Sequence, residues 1–204
     1  MYSFGEVSQL AHVSPSTVRN WLRGYSVDNR QVPPLFGDSP SHVPMVSFLQ
    51  LIEIVVASRF RKAARSVPYR RVRRAYENAR KFSTLDYPFA HLRLEALGGH
   101  IVSWIEESPA DSALALDEPT QRTLPGLIQE TVSQLVYDQE LASRWYPVGK
   151  TVPIVVDPRV STGMPVIDGR GVTVQAIRRR FRADLRIDFI AKDFDMNRDL
   201  IETA

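Results

Sequence analysis

The first 24 residues constrain the fold more than any other stretch. Val7, Leu10 and Ala11 stand at i, i+3 and i+4, and Val18, Trp21 and Leu22 repeat that spacing, with Val13 in the break between them. Two short helices sharing one small core have the geometry of a helix-turn-helix. Ser14 is a good N-cap, Pro15 in the first helical position has no N–H to leave unbonded, and Gly24 can stop the helix. The outward positions of the second helix carry Ser16, Thr17, Arg19, Asn20 and Arg23, residue types that bond phosphates and base edges. The alternative is a plain helical hairpin with a solvated polar face. The agreement of cap, turn and basic helix favours DNA binding. The candidate DNA-binding residues are Ser14, Ser16, Thr17, Arg19, Asn20 and Arg23. Arg19, Asn20 and Arg23 are expected to reach bases or phosphates, and Ser16 and Thr17 to meet phosphate at the helix N-terminus.

Charge is distributed unevenly. Residues 1–82 carry 13 Lys and Arg against 5 Asp and Glu, a balance of +8, while residues 83–204 carry 13 against 18, a balance of −5. A basic front and an acidic rear assign nucleic acid to one part and something else to the other. A chain of 204 residues with 44% hydrophobic content can bury a real core. It has no apolar run long enough to span a membrane and no visible secretory signal. Without cysteine it can form no disulfide, thiolate metal site or cysteine nucleophile, which fits a cytoplasmic protein.

Residues 26–46, with Pro33, Pro34, Gly37, Pro40 and Pro44, read as a loop or a loop serving as a wing. Ser47 with Gln50 three residues on matches a capping box. It opens a run from Phe48 to Phe60 that is apolar around much of its circumference, the mark of a buried or interface helix. A further helix is expected after Ser66, Val67 and Pro68, interleaving Tyr69, Val72, Ala75, Tyr76 and Phe82 with Arg70, Arg71, Arg73, Arg74, Arg80 and Lys81. Arg70, Arg71 and Arg74 are candidate phosphate contacts; the alternative is a solvated surface helix. Around Gly98 and Gly99, residues 92–106 suggest a β-hairpin. Residues 107–123 read as a loop, 124–137 as a helix, and Leu141 to Val148 and Val152 to Val156 as strands. With a balance of −7, residues 83–157 make a poor DNA surface.

From Asp157 the glycines and prolines imply tight turns; neither a P-loop nor a dinucleotide fingerprint is present. Helices are expected over Thr173–Arg182, Ile187–Asp193 and Asn197–Thr203, with Ile187, Ile190, Ala191 and Phe194 on one face. This helix-turn-helix-like unit has a mixed final helix, with Asn197, Arg198 and Asp199, which favours dimerisation or partner binding over DNA reading. Arg178, Arg179, Arg182 and Arg198 are its candidate partner-binding residues.

No enzyme is expected. His12, His42, His91 and His100 form no zinc motif, no nucleophile elbow is present, and Asp157, Asp168, Asp193 and Asp195 would bind Mg²⁺ only if the fold gathered them. No cofactor or metal is expected.

The stretch from Tyr2 to Val7, followed by Ser14 to Arg23, resembles the MerR-like helix-turn-helix. Residues 154–167 and the stretches at Arg180 and Ile190 are similar to a small antitoxin-associated domain first catalogued as being of unknown function. Together, with Ser47 to Glu53 between them, they resemble VapB-type antitoxins of VapBC toxin–antitoxin pairs. The resemblance implies a homodimeric autorepressor on operator DNA and a partner toxin, a PIN-domain Mg²⁺-dependent ribonuclease, neutralised by direct binding. Inhibition would proceed by occlusion of the nuclease site or by an arginine, from Arg178 to Arg182, pairing with its metal-binding carboxylates. Where such domains usually have Ala-Gly-Glu, this chain reads Ala183, Asp184, Leu185, so a turn there lacks its glycine. The final helix starts close to Ala204, and a longer C-terminus stays open.

The expected fold is mainly α with small β elements (α+β). A basic MerR-like and helical region spans 1–82, an acidic mixed middle unit 83–152, and the C-terminal helix-turn-helix-like domain 153–204. The alternative function is a stand-alone MerR-like transcriptional regulator whose helix 48–60, with Trp104 and Trp145, lines a small-effector pocket; a further one is a protein–protein adaptor that binds no DNA.

Overall fold

The computed structural model describes residues 1–36, 45–62, 67–91, 94, 97, 98, 100, 101 and 124–204. The expected loop over 107–123, the 37–44 segment and Trp104 lie outside them. The fold is mainly α with small antiparallel strand pairs. It forms two compact units, Met1–Val132 with Gln139–Ala142, and Ser133–Asp138 with Ser143–Ala204.

In the first unit, β1 (Tyr2–Ser3) pairs antiparallel with β4 (Met45–Val46). Helix α1 (Phe4–Ala11) opens with a capping box: the Glu6 amide donates to Ser3 Oγ at 3.3 Å, and the Ser3 amide donates back to Glu6 Oε2 at 2.7 Å. His12 takes the left-handed conformation at the helix end, φ 53°. Helix α2 (Pro15–Arg23) follows after Val13 and the cap Ser14. Val7, Ala11, Val18, Trp21 and Leu22 are buried and Leu10 is half-buried, so the apolar triplets read from the sequence face a core apart from the part of Leu10 left exposed. Strands β2 (Tyr25–Val27) and β3 (Arg30–Val32) form the wing hairpin. Its two turn residues, Asp28 and Asn29, both have positive φ, 46° and 61°, as a right-twisted two-residue hairpin requires.

Helix α3 (Phe48–Lys62) starts with the expected box: the Gln50 amide donates to Ser47 Oγ (3.1 Å) and the Ser47 amide to Gln50 Oε1 (3.0 Å). It is buried on nearly all sides, as its run of apolar residues demands. It packs on α1, on α4 (Tyr69–Ser83) and on a short 3₁₀ turn, Pro88–Ala90. The α1–α2 turn is tied to α3 by Ser58 Oγ donating to the Ala11 carbonyl (3.1 Å) and Lys62 Nζ to the His12 carbonyl (2.5 Å).

Two sequence expectations need correction. Leu94, Leu97, Gly98, His100 and Ile101 are helical, so the described part of 92–106 is no β-hairpin. Leu94, Leu97 and Ile101 are buried at i, i+3 and i+7, and that period outweighs the Gly-Gly turn signal. The helix expected over 124–137 ends earlier: α5 is Leu124–Gln134, and β5 (Leu135–Asp138) continues the chain. Leu135, Val136 and Tyr137 are strand formers, and pairing with β6 (Leu141–Trp145) decides their state. The boundary between the two units runs through this hairpin.

In the second unit, Trp145 is bridged to Val156, and β7 (Ile154–Val155) pairs antiparallel with β8 (Val166–Ile167). Three short helices follow as expected: α6 (Val174–Arg182) capped by Thr173, α7 (Ile187–Asp193), and α8 (Arg198–Thr203) capped by Asn197. Ile154, Ile167, Val174, Ile177, Ile190, Ala191, Met196 and Ile201 form their common core, with Ile187 and Phe194 partly buried against it.

Candidate nucleic-acid interface

Helix α2 is pinned at both ends. Ser14 Oγ accepts the Thr17 amide at 3.1 Å and lies 2.8 Å from both Ser16 Oγ and Thr17 Oγ1. At the other end the Trp21 carbonyl accepts two amides from beyond the wing, Leu35 at 2.7 Å and Phe36 at 3.0 Å. Gly24 turns the chain with φ 73°; a Cβ there would stand 2.3 Å from the Val32 carbonyl oxygen. Helix end and wing return are therefore in backbone contact, which only glycine permits.

Of the sequence candidates on α2, Ser14, Ser16 and Arg19 are exposed, while Thr17, Asn20 and Arg23 are half-buried. Arg19 has no hydrogen-bond or ionic partner among the described residues. Arg23 is different: its guanidinium lies over the Phe4 ring at 5.1 Å, packing α2 to α1. Ser14, Ser16 and Thr17 already bond one another at the cap, so Arg19 and Asn20 are the polar candidates on α2 left to face a ligand.

Sequence reasoning missed Arg30. It begins β3 next to the wing turn, is exposed, and has no partner among the described residues. The signal was present: Asp28 and Asn29 between two three-residue strand-like runs mark a two-residue hairpin. On α4, Arg70 and Arg74 are exposed without partners among the described residues, and Arg71 is half-buried. Arg73 faces inward to the wing return rather than outward, with its Nη2 2.5 Å from the Pro33 carbonyl oxygen.

Behind these elements runs an aromatic chain. Trp21 meets Phe36 edge-on at 5.8 Å, Phe36 meets Tyr76 at 5.0 Å, Tyr76 meets Phe89 at 5.2 Å, and Phe89 meets Phe60 at 5.5 Å. Glu53 is buried beside it. Its Oε2 accepts the Tyr76 hydroxyl at 2.7 Å and its Oε1 the Phe89 amide at 3.2 Å. Burial pushes the Glu53 carboxyl up to about 8, although Tyr76, Phe89 and the charge of Arg80 all pull it down. Burial, and then Glu53, also raises the Tyr76 hydroxyl.

In the second unit, the partner-binding candidates divide. Arg178 Nε donates to the Ala204 carbonyl (3.2 Å), and Arg198 is held by Asp188 (2.9 Å) and Glu202 (2.6 Å). Arg179 and Arg182 are exposed without partners among the described residues. Arg180 pairs with Asp193 at 2.6 Å and lies over Phe194 at 4.1 Å. Phe181 and Phe189 leave more than half of their surface exposed.

Of the four acids considered for Mg²⁺, Asp195 is exposed and the other three are committed separately. Asp157 grips Arg159 by a two-toothed ion pair (2.9 and 2.8 Å), which holds its carboxyl below the usual range, Asp168 accepts the Tyr146 hydroxyl (2.7 Å), and Asp193 pairs with Arg180. Among the described residues no three His, Asp or Glu gather to hold a metal. No described helix is long and apolar enough to cross a membrane. Trp145 is a core residue, its indole N–H 3.5 Å from Gln134 Oε1.

Residues 154–204 match the family described as "Protein of unknown function (DUF433)". Over its whole length the chain is similar to two proteins of Mycobacterium tuberculosis. It is 27% identical over 214 residues to "Uncharacterized protein Rv2308", covering 100% of this chain and 88% of that protein. It is 26% identical over 231 residues to "Putative antitoxin VapB45", covering 100% and 92%. The crystal structure of Rv2018 from the same organism superposes with a TM-score of 0.73 at 23% identity, covering 99% of this chain and 95% of that one. This last likeness is one of fold.

Proposed function

We propose that the protein is the antitoxin of a type II toxin–antitoxin system. In this reading it is a cytoplasmic homodimeric autorepressor that binds operator DNA through a MerR-like helix-turn-helix. It neutralises a PIN-domain ribonuclease by direct binding and performs no catalysis itself. The full-length similarity to a protein named as a VapB antitoxin supports the system. The observation that carries the DNA half is the set of exposed cations without partners on adjacent elements: Arg19 on the recognition helix α2, Arg30 on the wing, and Arg70 and Arg74 on α4. Phosphate-binding proteins keep such cations free, because a cation already paired would have to break that pair to meet DNA.

The toxin half is assigned to the second unit, where Arg179 and Arg182 are free among the described residues and Phe181 and Phe189 are exposed. Arginine and aromatic side chains are the types that anchor protein interfaces.

The test is a tagged pull-down from the native host with mass spectrometry. A PIN-type ribonuclease at near-stoichiometric level supports the antitoxin reading; its absence with well-expressed bait overturns it. Replacing Arg19 with Ala should weaken DNA binding several-fold and leave the toxin complex intact. Unchanged DNA affinity would remove α2 from the interface.

A further inference from the structure

Arg73 ties three elements together. From α4, with its side chain 17% exposed, it donates Nη2 to the Pro33 carbonyl (2.5 Å) and the Tyr69 hydroxyl (2.8 Å). Its Nη1 donates to the Pro34 carbonyl (3.2 Å) and Glu77 Oε1 (3.3 Å). Pro33 and Pro34 follow β3 directly and are the return of the wing. The same guanidinium lies over the Tyr69 ring at 5.3 Å, and that ring stacks on Trp21 of α2 at 6.2 Å and 14°. One planar fork therefore holds the wing by its backbone and, through Tyr69, the recognition helix by its core tryptophan.

Fixing the wing in this way has an energetic reason. Prolines have no N–H with which to enter a ladder, so the wing return has only carbonyls to bond. A guanidinium presents parallel donors that span two such carbonyls, whereas an ammonium is a single point charge. Arg73 makes the i,i+4 pair with Glu77 and also reaches a loop 40 residues away. The pair with Glu77 serves the helix alone; the bonds to the Pro33 and Pro34 carbonyls add nothing to helix stability and act on the wing.

We propose that Arg73 is a positioning residue that sets the wing against the recognition helix, so that Arg30 and Arg19 meet one duplex together. It makes α4 the element through which DNA affinity is tuned: whatever shifts Tyr69 and Arg73 shifts the wing. The inference rests on the DNA-binding reading and names how that interface is preorganised.

The experiment starts from a randomised duplex library selected with the wild-type full chain; the enriched duplex and an unselected duplex are the two probes. R73A is expected to weaken the enriched duplex about tenfold and the unselected duplex by less than about twofold, because it loosens geometry rather than removing a phosphate contact. R30A is expected to weaken the enriched duplex in the wild-type background and to have no further effect in R73A, the signature of coupled residues. R19A should keep its effect in both backgrounds. R73K keeps the charge and stem without the fork, and should fall between wild type and R73A. It carries the same comparison with R30A should R73A lose its helical circular dichroism. Additive losses from R73A and R30A, or equal weakening on both duplexes, overturn the positioning role while leaving DNA binding in place. Failure of the wild-type chain to enrich any duplex overturns the DNA-binding reading itself, and this inference with it.

Discussion

Asp184 occupies the position where the sequence lacks an expected glycine, and the backbone there is left-handed all the same, φ 59°. The Leu185 amide donates to the Arg180 carbonyl and the Asp184 amide to the Phe181 carbonyl, which closes α6 with a Schellman turn. The turn therefore survives without glycine, at the cost of holding an L side chain in a disfavoured region. Asp184→Gly should stabilise the second unit by about 0.5–1 kcal/mol, read as a higher urea midpoint with unchanged slope. Glu53 is the other residue whose surroundings set its behaviour. Its carboxyl titrates near 8 when folded and near 4.5 when free, so between those values the folded chain holds a proton that the unfolded chain has released. The stability that Glu53 contributes is then full below about pH 4.5, falls as pH rises towards 8, and is lost beyond. Glu53→Gln keeps the shape and a carbonyl for the Phe89 amide. It should abolish this slope and raise the melting temperature at pH 8; an unchanged slope would place the titrating group elsewhere.

At the scale of elements, the ends of α2 matter more than its middle. Ser14→Ala removes the acceptor for the Thr17 amide and should cost about 1 kcal/mol in chemical denaturation. Gly24→Ala drives a Cβ into the Val32 carbonyl at a positive φ, so about 2–4 kcal/mol should be lost. If Gly24→Ala proves neutral, the wing does not lie against the helix end. The elements also show where a linear reading succeeds. Both capping boxes, Ser3 with Glu6 and Ser47 with Gln50, and the caps Thr173 and Asn197, join residues three apart, and such pairs are visible in the chain. The reading fails where a local signal competes with burial: the Gly-Gly pair suggests a hairpin, yet the packing of Leu94, Leu97 and Ile101 makes those residues helical.

At the scale of the whole molecule, the charge split predicts how binding responds to salt. Arg19, Arg30, Arg70 and Arg74 all lie in the basic stretch 1–82, so DNA affinity should fall linearly with the logarithm of salt concentration. Each Arg→Ala among the four should make that slope shallower by about 1, measured by fluorescence anisotropy from low to moderate salt. An unchanged slope would remove that arginine from the phosphate-contacting set. The sequence by itself determined the starts of the capped helices α1, α2, α3, α6 and α8, the polar and apolar faces of α1, α2 and α6–α8, the buried character of α3 and the charge asymmetry. All of these depend on residues within about two turns of one another or on composition alone. Tertiary structure decided which cations stay free. Arg70, Arg71 and Arg74 are the phosphate candidates read from the chain and Arg73 is not among them, but nothing in the sequence says where Arg73 goes: only the fold sends it to the carbonyls of Pro33 and Pro34 while Arg70 and Arg74 remain exposed. It likewise decided that Glu53, one polar letter in an apolar helix, would be buried between Tyr76 and Phe89. The partners that settle these roles lie 23 to 40 residues away, and no periodic pattern spans that distance; closing such loops costs entropy that only the completed packing offsets.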